Sequence, residues 1–214
     1  MSSQQQQDLE AGLRQLDLNC SPQQLEKLLH YLELLQRWNK AFNLTAIRDP
    51  LQMVRLHLLD SLAINPYIKG LKSIIDVGTG PGLPGIPLAI LNPDINFTLL
   101  DSNGKKTRFL FQAINELTLN NASEVNHRVE AYKPDRLFDA VVSRAFSSIS
   151  DMLNQCDHLV SDQGCFLAMK GKKPDSELSQ MTKAYKVVEV NEVNVPLIDS
   201  ERHLIKIIKT GGAI

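Results

Sequence analysis

One stretch of the chain, residues 74–82, constrains the fold more than any other. Its sequence, IIDVGTGPG, runs from apolar residues through Asp76 into a glycine-rich turn, and a second apolar run, residues 95–100, ends at Asp101. A glycine turn directly after a strand lets the backbone approach a ligand, and an acid at the end of the next strand can accept hydrogen bonds from ribose hydroxyls. The pairing predicts an α/β unit with a pocket for an adenosine-containing ligand.

From about residue 72 onward, strand-like and helix-like patterns alternate. Such alternation predicts a mostly parallel sheet that helices cover on both faces. Residues 187–195 and 203–209 differ, because only a short link separates these strand-like runs, and they predict an antiparallel hairpin at one sheet edge. The other strands are predicted at 73–77, 96–100, 124–129, 138–143 and 164–169, and helices at about 84–92, 103–118 and 148–159.

The first 70 residues contain helical patterns and no strand patterns. A serine or aspartate before a proline marks a helix start, since the side chain caps and proline suits the first helical position. We predict a small helical extension over residues 1–70, packed on a main domain over residues 71–214. Its helices are predicted at about 9–18, from Ser21-Pro22 onward and from Asp49-Pro50 onward.

Composition restricts the classes of function. The net charge is −1, so a nucleic-acid partner has to be bound by a local basic patch. The three cysteines show neither disulfide nor metal-ligand spacing, which predicts reduced thiols in a cytoplasmic protein and no metal. No apolar run approaches the roughly 20 residues that cross a bilayer, and the polar first residues lack an export signal. We therefore expect no association with a membrane.

The glycine turn fits two kinds of ligand. Counted from Gly78, the dinucleotide fingerprint requires a third glycine where the chain has Leu83. Counted from Gly80 the fingerprint is satisfied, but that frame begins three residues after the strand should end. Prolines in the turn remove N–H donors that a pyrophosphate needs, and Asp76 suits a cationic amino-acid tail. The turn favours S-adenosylmethionine over a nicotinamide or flavin dinucleotide, with a purely structural turn as the third alternative.

The ends of the second and third strands supply candidate donor contacts. Asp101 lies 23 positions after Gly78, near the spacing of a ribose-binding acid, although an aspartate here could instead cap the next helix. Val129 and Glu130 follow the third strand, where the ligand of an open parallel sheet lies. They could contact adenine or belong to a solvated loop, and both interpretations stay open.

Arg144 follows the fourth strand, at the lip of the same crevice. A guanidinium there can pair with the carboxylate of the methyl donor or with an RNA phosphate, which makes Arg144 the candidate catalytic residue. The alternative is a surface salt bridge to Asp139 or Asp151.

The residues after the fourth strand restrict the methylation chemistry. Amino-group methylation of bases commonly uses an acid or Asn before Pro-Pro-aromatic, whereas residues 143–146 are SRAF. Carbon-5 methylation needs a cysteine nucleophile, and no cysteine lies at a predicted crevice position. An atom with a free lone pair, such as N7 of guanine, needs no general base. Elimination therefore favours such an acceptor atom.

Basic side chains gather where a polynucleotide would approach the strand ends. They could be ordinary solubilising charges, since the chain is close to neutral overall. As a local patch they predict RNA binding. The candidates are Lys105, Lys106, Arg108, Lys170 and Lys172, with Arg128 and Lys173 nearby.

Several motifs together resemble one family, the bacterial 16S rRNA guanine-N7 methyltransferases, also called glucose-inhibited division protein B. Two N-terminal signatures are the most specific, although Trp38 and His57 within them could be purely structural. The resemblance covers nearly the whole chain. The motifs are WNKAFNLT at 38–45, HLLDSL at 57–62, DVGTGPGLPGIP at 76–87, Lys105-Lys106 with Phe109-Leu110, SRA at 143–145 and MKG at 169–171.

The resemblance implies a class I S-adenosylmethionine-dependent methyltransferase fold, Rossmann-like, with a small helical N-terminal addition. It implies methylation of one guanine in 16S rRNA, as free RNA or in the small ribosomal subunit, by a protein that we expect to be a monomer. A nicotinamide oxidoreductase and a non-catalytic binding module are the competing hypotheses. By the resemblance, the donor would contact Gly78, Leu83, Val129, Glu130 and Arg144, whereas the acid after the second strand varies in strength among such enzymes, so the resemblance supports Asp101 less. The glycine turn itself adds Gly80 to the predicted donor contacts.

Overall fold

A computed structural model describes residues 3–211 of the chain. Within these residues one sheet contains β1 (Ser73–Val77), β2 (Asn96–Asp101), β3 (Ala122–Asn126), β4 (Phe138–Ser143), β5 (Val160–Lys170), β6 (Tyr185–Glu192) and β7 (His203–Lys209). The strand order is β3-β2-β1-β4-β5-β7-β6. The first five strands pair in parallel, and β7 lies antiparallel between β5 and β6. The predicted mostly parallel sheet with an antiparallel edge hairpin is confirmed.

The predicted helices are present with shifted ends, and a short one near residue 177 was not predicted. No helix within residues 3–211 combines the length and apolar character needed to span a membrane. The helices are α1 (Ser3–Gln15), α2 (Pro22–Phe42), α3 (Pro50–Met53), α4 (Asp60–Leu62), α5 (Gly85–Leu91), α6 (Gly104–Glu116), α7 (Ile149–Cys156) and α8 (Asp175–Ser179).

Successive residues of β1 point to opposite faces of the sheet, which gives each face its own apolar core. Ile74 is fully buried on the face that α2, α5 and α6 cover. Ile75 is fully buried on the face that α7 covers. Both faces of the parallel sheet are therefore removed from water, as such a sheet requires.

The N-terminal helices share the first of these cores with the sheet. Leu9 of α1 and Leu32 of α2 belong to the same buried cluster as Phe97 of β2. The Gln24 side chain also donates a hydrogen bond of 3.0 Å to the carbonyl of Ile90 at the end of α5. Since the part of the chain that the structure describes has no separate core around the N-terminal helices, their stability depends on the sheet and on the helices beside it.

The helix predicted from Asp49-Pro50 is not regular. After α3, residues Val54–Leu59 form a π-helical turn, which leads directly into α4. A π-helical turn inserts extra backbone into an α-helix and is frequent at functional sites. Here it contains His57 and precedes Asp60, and both residues line the larger cavity described below.

The outer edge of the hairpin is irregular. The pairing of β6 with β7 changes register between Val187 and Glu189, which marks a bulge. Val188 and Val190 are exposed on this edge strand. A bulge bends an edge strand and increases its twist.

Candidate active site

The donor loop, residues 78–84, connects β1 to α5 and is shaped by its glycines. Gly78 and Gly80 have φ angles of 68° and 62°, a region that side chains disfavour. A Cβ atom on Gly78 would lie 2.6 Å from the Cβ of Ala145, so the two backbones approach too closely for any other residue. A Cβ on Gly80 would meet no atom within 4 Å, because this residue borders an open cavity. The loop therefore presents bare backbone to a ligand.

Asp76 fixes the donor loop from inside the protein. Its fully buried carboxylate accepts hydrogen bonds from the Thr79 hydroxyl (2.6 Å) and from the Gly85 amide (2.8 Å). Burial raises the pKa of Asp76 to about 6. Asp76 is not among the residues that line the two cavities, and both of these hydrogen bonds use Oδ2. Its other oxygen, Oδ1, is buried without a hydrogen-bond partner among residues 3–211.

Asp101 connects the end of β2 to the same loop. One carboxylate oxygen accepts from the Gly80 amide (3.0 Å) and lies 3.3 Å from the ammonium of Lys106, and the other accepts from the Asn103 amide (2.9 Å). The alternative that Asp101 caps α6 is wrong, because the side chain of Asn103 caps this helix by accepting from the Lys105 amide. Asparagine is itself a favoured capping residue, and this signal was missed.

The strand ends enclose two adjacent cavities that share Gly78 and Ala145. The smaller cavity, about 290 Å³, is lined by residues that include Asp101, Val129 and Glu130. Asp101 ends β2, whereas Val129 and Glu130 both follow β3, and the prediction placed these residues in one pocket. The larger cavity, about 570 Å³, brings together Gly80, Leu83, Arg144 and Lys170 of the predicted set.

Arg144 forms a partly buried ion pair that the sequence did not indicate. Its Nη1 donates to Oδ2 of Asp60 at 2.7 Å and to the carbonyl of Leu56 at 3.3 Å. The alternative of a surface salt bridge to Asp139 or Asp151 is therefore wrong. Asp139 instead accepts from the backbone amides at the start of β1.

The same aspartate binds a second arginine. Nε of Arg202, just before β7, donates to Oδ1 of Asp60 at 2.7 Å. Asp60 and Arg202 both line the larger cavity and were absent from the predicted site. The available signal for Asp60 was its place in the HLLDSL motif at 57–62.

His57 is a neutral residue in the wall of the larger cavity. Burial, and secondarily the charge of Arg144, lower its pKa to about 4. Its Nε2 lies 3.0 Å from the hydroxyl of Thr45, so the two N-terminal signatures contact each other. The imidazole therefore carries no charge at neutral pH.

The sequence comparisons identify the family. The profile of the rRNA small subunit methyltransferase G family, also named GidB, matches residues 24–205. The chain belongs to this family. Relatives named ribosomal RNA small subunit methyltransferase G include those of Shewanella pealeana, 52% identical over 197 residues, and Shewanella halifaxensis, 51% identical over 197 residues. Each match covers 92% of this chain and 95% of the relative.

Solved structures confirm the predicted fold class. The glycopeptide N-methyltransferase MtfA superposes with a TM-score of 0.60 at 10% identity, over 71% of this chain and 95% of that one. The N-methyltransferase NodS of Bradyrhizobium japonicum, solved with S-adenosyl-L-homocysteine, gives 0.55 at 14% identity, over 84% of this chain and 98% of that one. These structures establish a class I methyltransferase fold for this member of the rRNA small subunit methyltransferase G family.

The basic residues that were predicted to bind RNA fall into two groups in this family member. Lys105, Arg108 and Lys172 are exposed. Lys106 pairs with Asp101, as described above. The ammonium of Lys170 lies 3.1–3.2 Å from both carboxylate oxygens of Glu177 and 3.1 Å from the carbonyl of Ser147, so three acceptors surround it.

The rest of the site contains neither a metal cluster nor an activated thiol within residues 3–211. No group of three or more His, Cys, Asp or Glu residues in this range could hold a metal ion. Cys156 and Cys165 are buried free thiols, and burial raises the pKa of Cys156 to about 12. Neither of these cysteines lines the two cavities at the strand ends.

Proposed function

We propose that the protein transfers the methyl group of S-adenosylmethionine to N7 of one guanine in 16S rRNA. The single observation that supports this most strongly is the pair of cavities joined at Gly78 and Ala145. One cavity has the acid expected for a ribose, and the other has Arg144 and enough volume for a base beside the donor loop. The names of the relatives agree with an RNA acceptor in the small ribosomal subunit.

The chain offers suitable groups for each part of the donor. In the smaller cavity, Asp101 would accept from ribose hydroxyls, and Val129 and Glu130 would contact adenine. Gly78 and Gly80 would lie against the donor with their backbone, since a Cβ on Gly80 would occupy open space. In the larger cavity Leu83 lines the wall and Arg144 would pair with the donor carboxylate.

The reaction requires alignment and exclusion of water more than acid–base catalysis. Bound S-adenosylmethionine supplies a methyl carbon that the N7 lone pair takes while the carbon–sulfur bond breaks and leaves its electrons on sulfur. The positive charge passes from sulfur to the guanine ring, and no proton is transferred. His57 is neutral and no cysteine lines the cavity, so this set of residues suits an acceptor that needs neither base nor nucleophile.

The face around the strand ends would bind the RNA. Lys105, Arg108 and Lys172 are exposed there and would contact phosphates. Lys106 and Lys170 have carboxylate partners, so we assign them a weaker share of the binding. The substrate would be 16S rRNA, as free RNA or within the small ribosomal subunit.

We further infer that the protein works in the cytoplasm as a monomer. Three free thiols suit a reducing compartment. Residues 1–70 would form an extension that supports the donor loop of the methyltransferase domain at 71–214. The hydroxyl of Tyr31 in α2 donates a 2.8 Å hydrogen bond to the carbonyl of Pro81 in that loop, which agrees with this role.

The test is methyl transfer to unmodified small-subunit RNA and to small subunits, followed by mass analysis of the nucleosides. We expect one 7-methylguanosine for each RNA and no hydride transfer from nicotinamide cofactors. Arg144→Met serves as the comparison for a damaged site, and Arg136→Met, at the opposite end of the sheet, as the matched control. Donor binding without transfer to either substrate would refute the proposal and favour a non-catalytic binding module.

A further inference from the structure

Asp60 forms the centre of an ion-pair cluster in the larger cavity. Its side chain is only 6% exposed, and each of its two oxygens accepts from a different arginine at 2.7 Å. Arg144 and Arg202 come from segments on opposite sides of β5 in sequence. One buried carboxylate therefore places two guanidinium groups next to each other, with one excess positive charge.

Arg202 has only one nitrogen left for a ligand. Its Nε donates to Asp60, and its Nη1 donates to the Ser200 hydroxyl (2.9 Å) and to the Glu201 carbonyl (2.8 Å). Nη2 has no hydrogen-bond partner among residues 3–211, and Arg202 lines the cavity with a side chain that is 24% exposed. Nη2 is therefore the Arg202 nitrogen that remains to donate to a ligand in this cavity.

Arg144 differs in its surroundings. It directly precedes Ala145, whose Cβ would lie 2.6 Å from a Cβ on Gly78, so Arg144 leaves the backbone beside the donor loop. Arg144 is accordingly assigned to the carboxylate of the methyl donor, and Arg202 is the arginine left to face the acceptor base.

The atom beside N7 distinguishes the purines. Guanine has a carbonyl oxygen, O6, at that position, where adenine has an amino group that cannot accept a hydrogen bond from arginine. An arginine usually contacts O6 and N7 together through two nitrogens, which would block the N7 lone pair. Because Nε and Nη1 of Arg202 are already engaged, this residue can contact O6 alone and leave N7 free.

The opposite edge of guanine would need acceptors for its N1–H and 2-amino groups. Among the described residues that line the cavity, Asp60 is the only carboxylate, and both of its oxygens bind arginines. Recognition of guanine by a free carboxylate is therefore not available in this lining, and O6 is the feature that the lining suits.

We propose that Arg202 determines base specificity by donating one hydrogen bond from Nη2 to O6 of the acceptor base, and that Asp60 is its positioning residue. The cavity would select a 6-oxopurine and tolerate the loss of the 2-amino group. This inference rests on the proposed function, because it assumes a purine that reacts at N7.

The experiment uses small-subunit RNA that carries guanine, inosine or 2-aminopurine at the modified nucleotide. Inosine keeps O6 and lacks the 2-amino group, whereas 2-aminopurine keeps the 2-amino group and lacks O6. Because the bases differ in intrinsic reactivity, the measured quantity is the ratio of kcat/KM between two bases, compared between wild type and Arg202→Met. The change in that ratio isolates the contribution of the protein.

In Arg202→Met we expect the guanine to 2-aminopurine ratio to fall about tenfold, the value of one hydrogen bond to a base. The guanine to inosine ratio should stay the same in both proteins. Arg136→Met, an exposed arginine just before β4, should change neither ratio. Arg202→Lys keeps a positive charge beside Asp60 but lacks the second terminal nitrogen. It should therefore also lower the guanine to 2-aminopurine ratio, and it replaces Arg202→Met if that variant does not fold.

An unchanged guanine to 2-aminopurine ratio in folded Arg202→Met or Arg202→Lys would overturn the inference while leaving the proposed function intact. So would a guanine to inosine ratio that falls in Arg202→Met as much as the guanine to 2-aminopurine ratio does. Absence of methyl transfer from the wild type to guanine RNA would refute the proposed function, and the inference with it.

Discussion

The donor loop and the arginine wall of the larger cavity are built in opposite ways. The two carboxylates that bind the donor loop are close to it in sequence: Asp76 binds Gly85, nine residues away, and Asp101 binds Gly80, 21 residues away. The arginine wall depends on Asp60 binding Arg144 and Arg202, which are 84 and 142 residues away. The carboxylate contacts of the loop form within the segment from β1 to β2, whereas the wall exists only after the whole sheet has formed.

The two regions should therefore respond differently to substitution. In the loop, an added side chain should reduce ligand affinity, because bare backbone faces the ligand. In the arginine wall, the loss of one charge should reduce activity and stability, because the remaining charged partners are partly buried. The four predictions below compare these responses, from the largest expected effect to the smallest.

Gly80→Val should reduce the affinity for S-adenosylmethionine by about 100-fold or more, since valine would fill the cavity and disfavour the φ of 62°. Gly70→Val is the matched control, because Gly70 has a φ of 85° and open space around it but lies before β1, away from the cavities. Calorimetry should show normal donor affinity for this control. Equal loss of affinity in both variants would show that backbone strain, and not contact with the ligand, is responsible.

Asp60→Asn should weaken the binding of both the methyl donor and the acceptor base, because it removes the anion that Arg144 and Arg202 share and leaves the two arginines side by side. We expect about a 100-fold loss of kcat/KM and about 3 kcal/mol of lost stability, as for a buried pair that loses one partner. Arg144→Met should lower donor affinity about tenfold, whereas Arg202→Met should leave it unchanged. Calorimetry with S-adenosylhomocysteine measures the donor affinity of each arginine variant. An equal loss of affinity in both would contradict the assignment of Arg144 to the donor and of Arg202 to the acceptor base.

The pH dependence of stability should contain two opposing contributions. The pKa of Asp76 is raised from 3.8 to about 6, so the stability that it contributes falls as pH rises between these values. The pKa of His57 is lowered from 6.5 to about 4, so its contribution grows as pH rises through that window. Each amounts to about 3 kcal/mol, and they nearly cancel in the wild type.

Single variants should expose each contribution. As pH rises, Asp76→Asn, which keeps His57, should gain stability between about pH 4 and 6.5. His57→Gln, which keeps Asp76, should lose stability between about pH 4 and 6, whereas the wild type changes little. Urea unfolding at a series of pH values measures both slopes. Parallel curves for the wild type and both variants would mean that neither group titrates as the structure indicates.

Tyr31→Phe should have the smallest effect, because it removes one hydroxyl that supports the donor loop from α2. The carbonyl of Pro81 would lose a buried hydrogen bond, with a cost of about 1–2 kcal/mol in stability and a few-fold loss of donor affinity. Tyr67→Phe, in a partly exposed turn of the same N-terminal region, is the control. Unchanged affinity in Tyr31→Phe would argue that the N-terminal helices do not support the loop.

The same contrast explains what the sequence could predict. The donor loop, the mostly parallel sheet and the grouping of Asp101, Val129 and Glu130 follow from local patterns and from the rule that ligands lie at the carboxyl ends of parallel strands. The family resemblance was carried by contiguous motifs, and the comparisons confirm it. These features depend on residues that are close in sequence or on topology alone.

The ion-pair partners could not be predicted in this way. Arg144 was assigned plausible partners by proximity in sequence, yet its carboxylate is on α4, which packs beside the cavity only in the folded chain. The π-helical turn at Val54–Leu59 has no simple sequence period, so the segment resembled a regular helix. The cap at Asn103, by contrast, was predictable from the sequence. Asparagine is a favoured capping residue, but Asp101 was considered as the cap in its place.

The bulge in the outermost strand has a consequence for the behaviour of the protein at high concentration. A flat, exposed edge would offer its free backbone groups to another molecule and promote fibril growth. Here the register shift between Val187 and Glu189 interrupts that edge, and Glu189 and Glu192 place charges along it. Aggregation through edge-to-edge strand addition is thereby opposed, although Val188 and Val190 are exposed on the same strand.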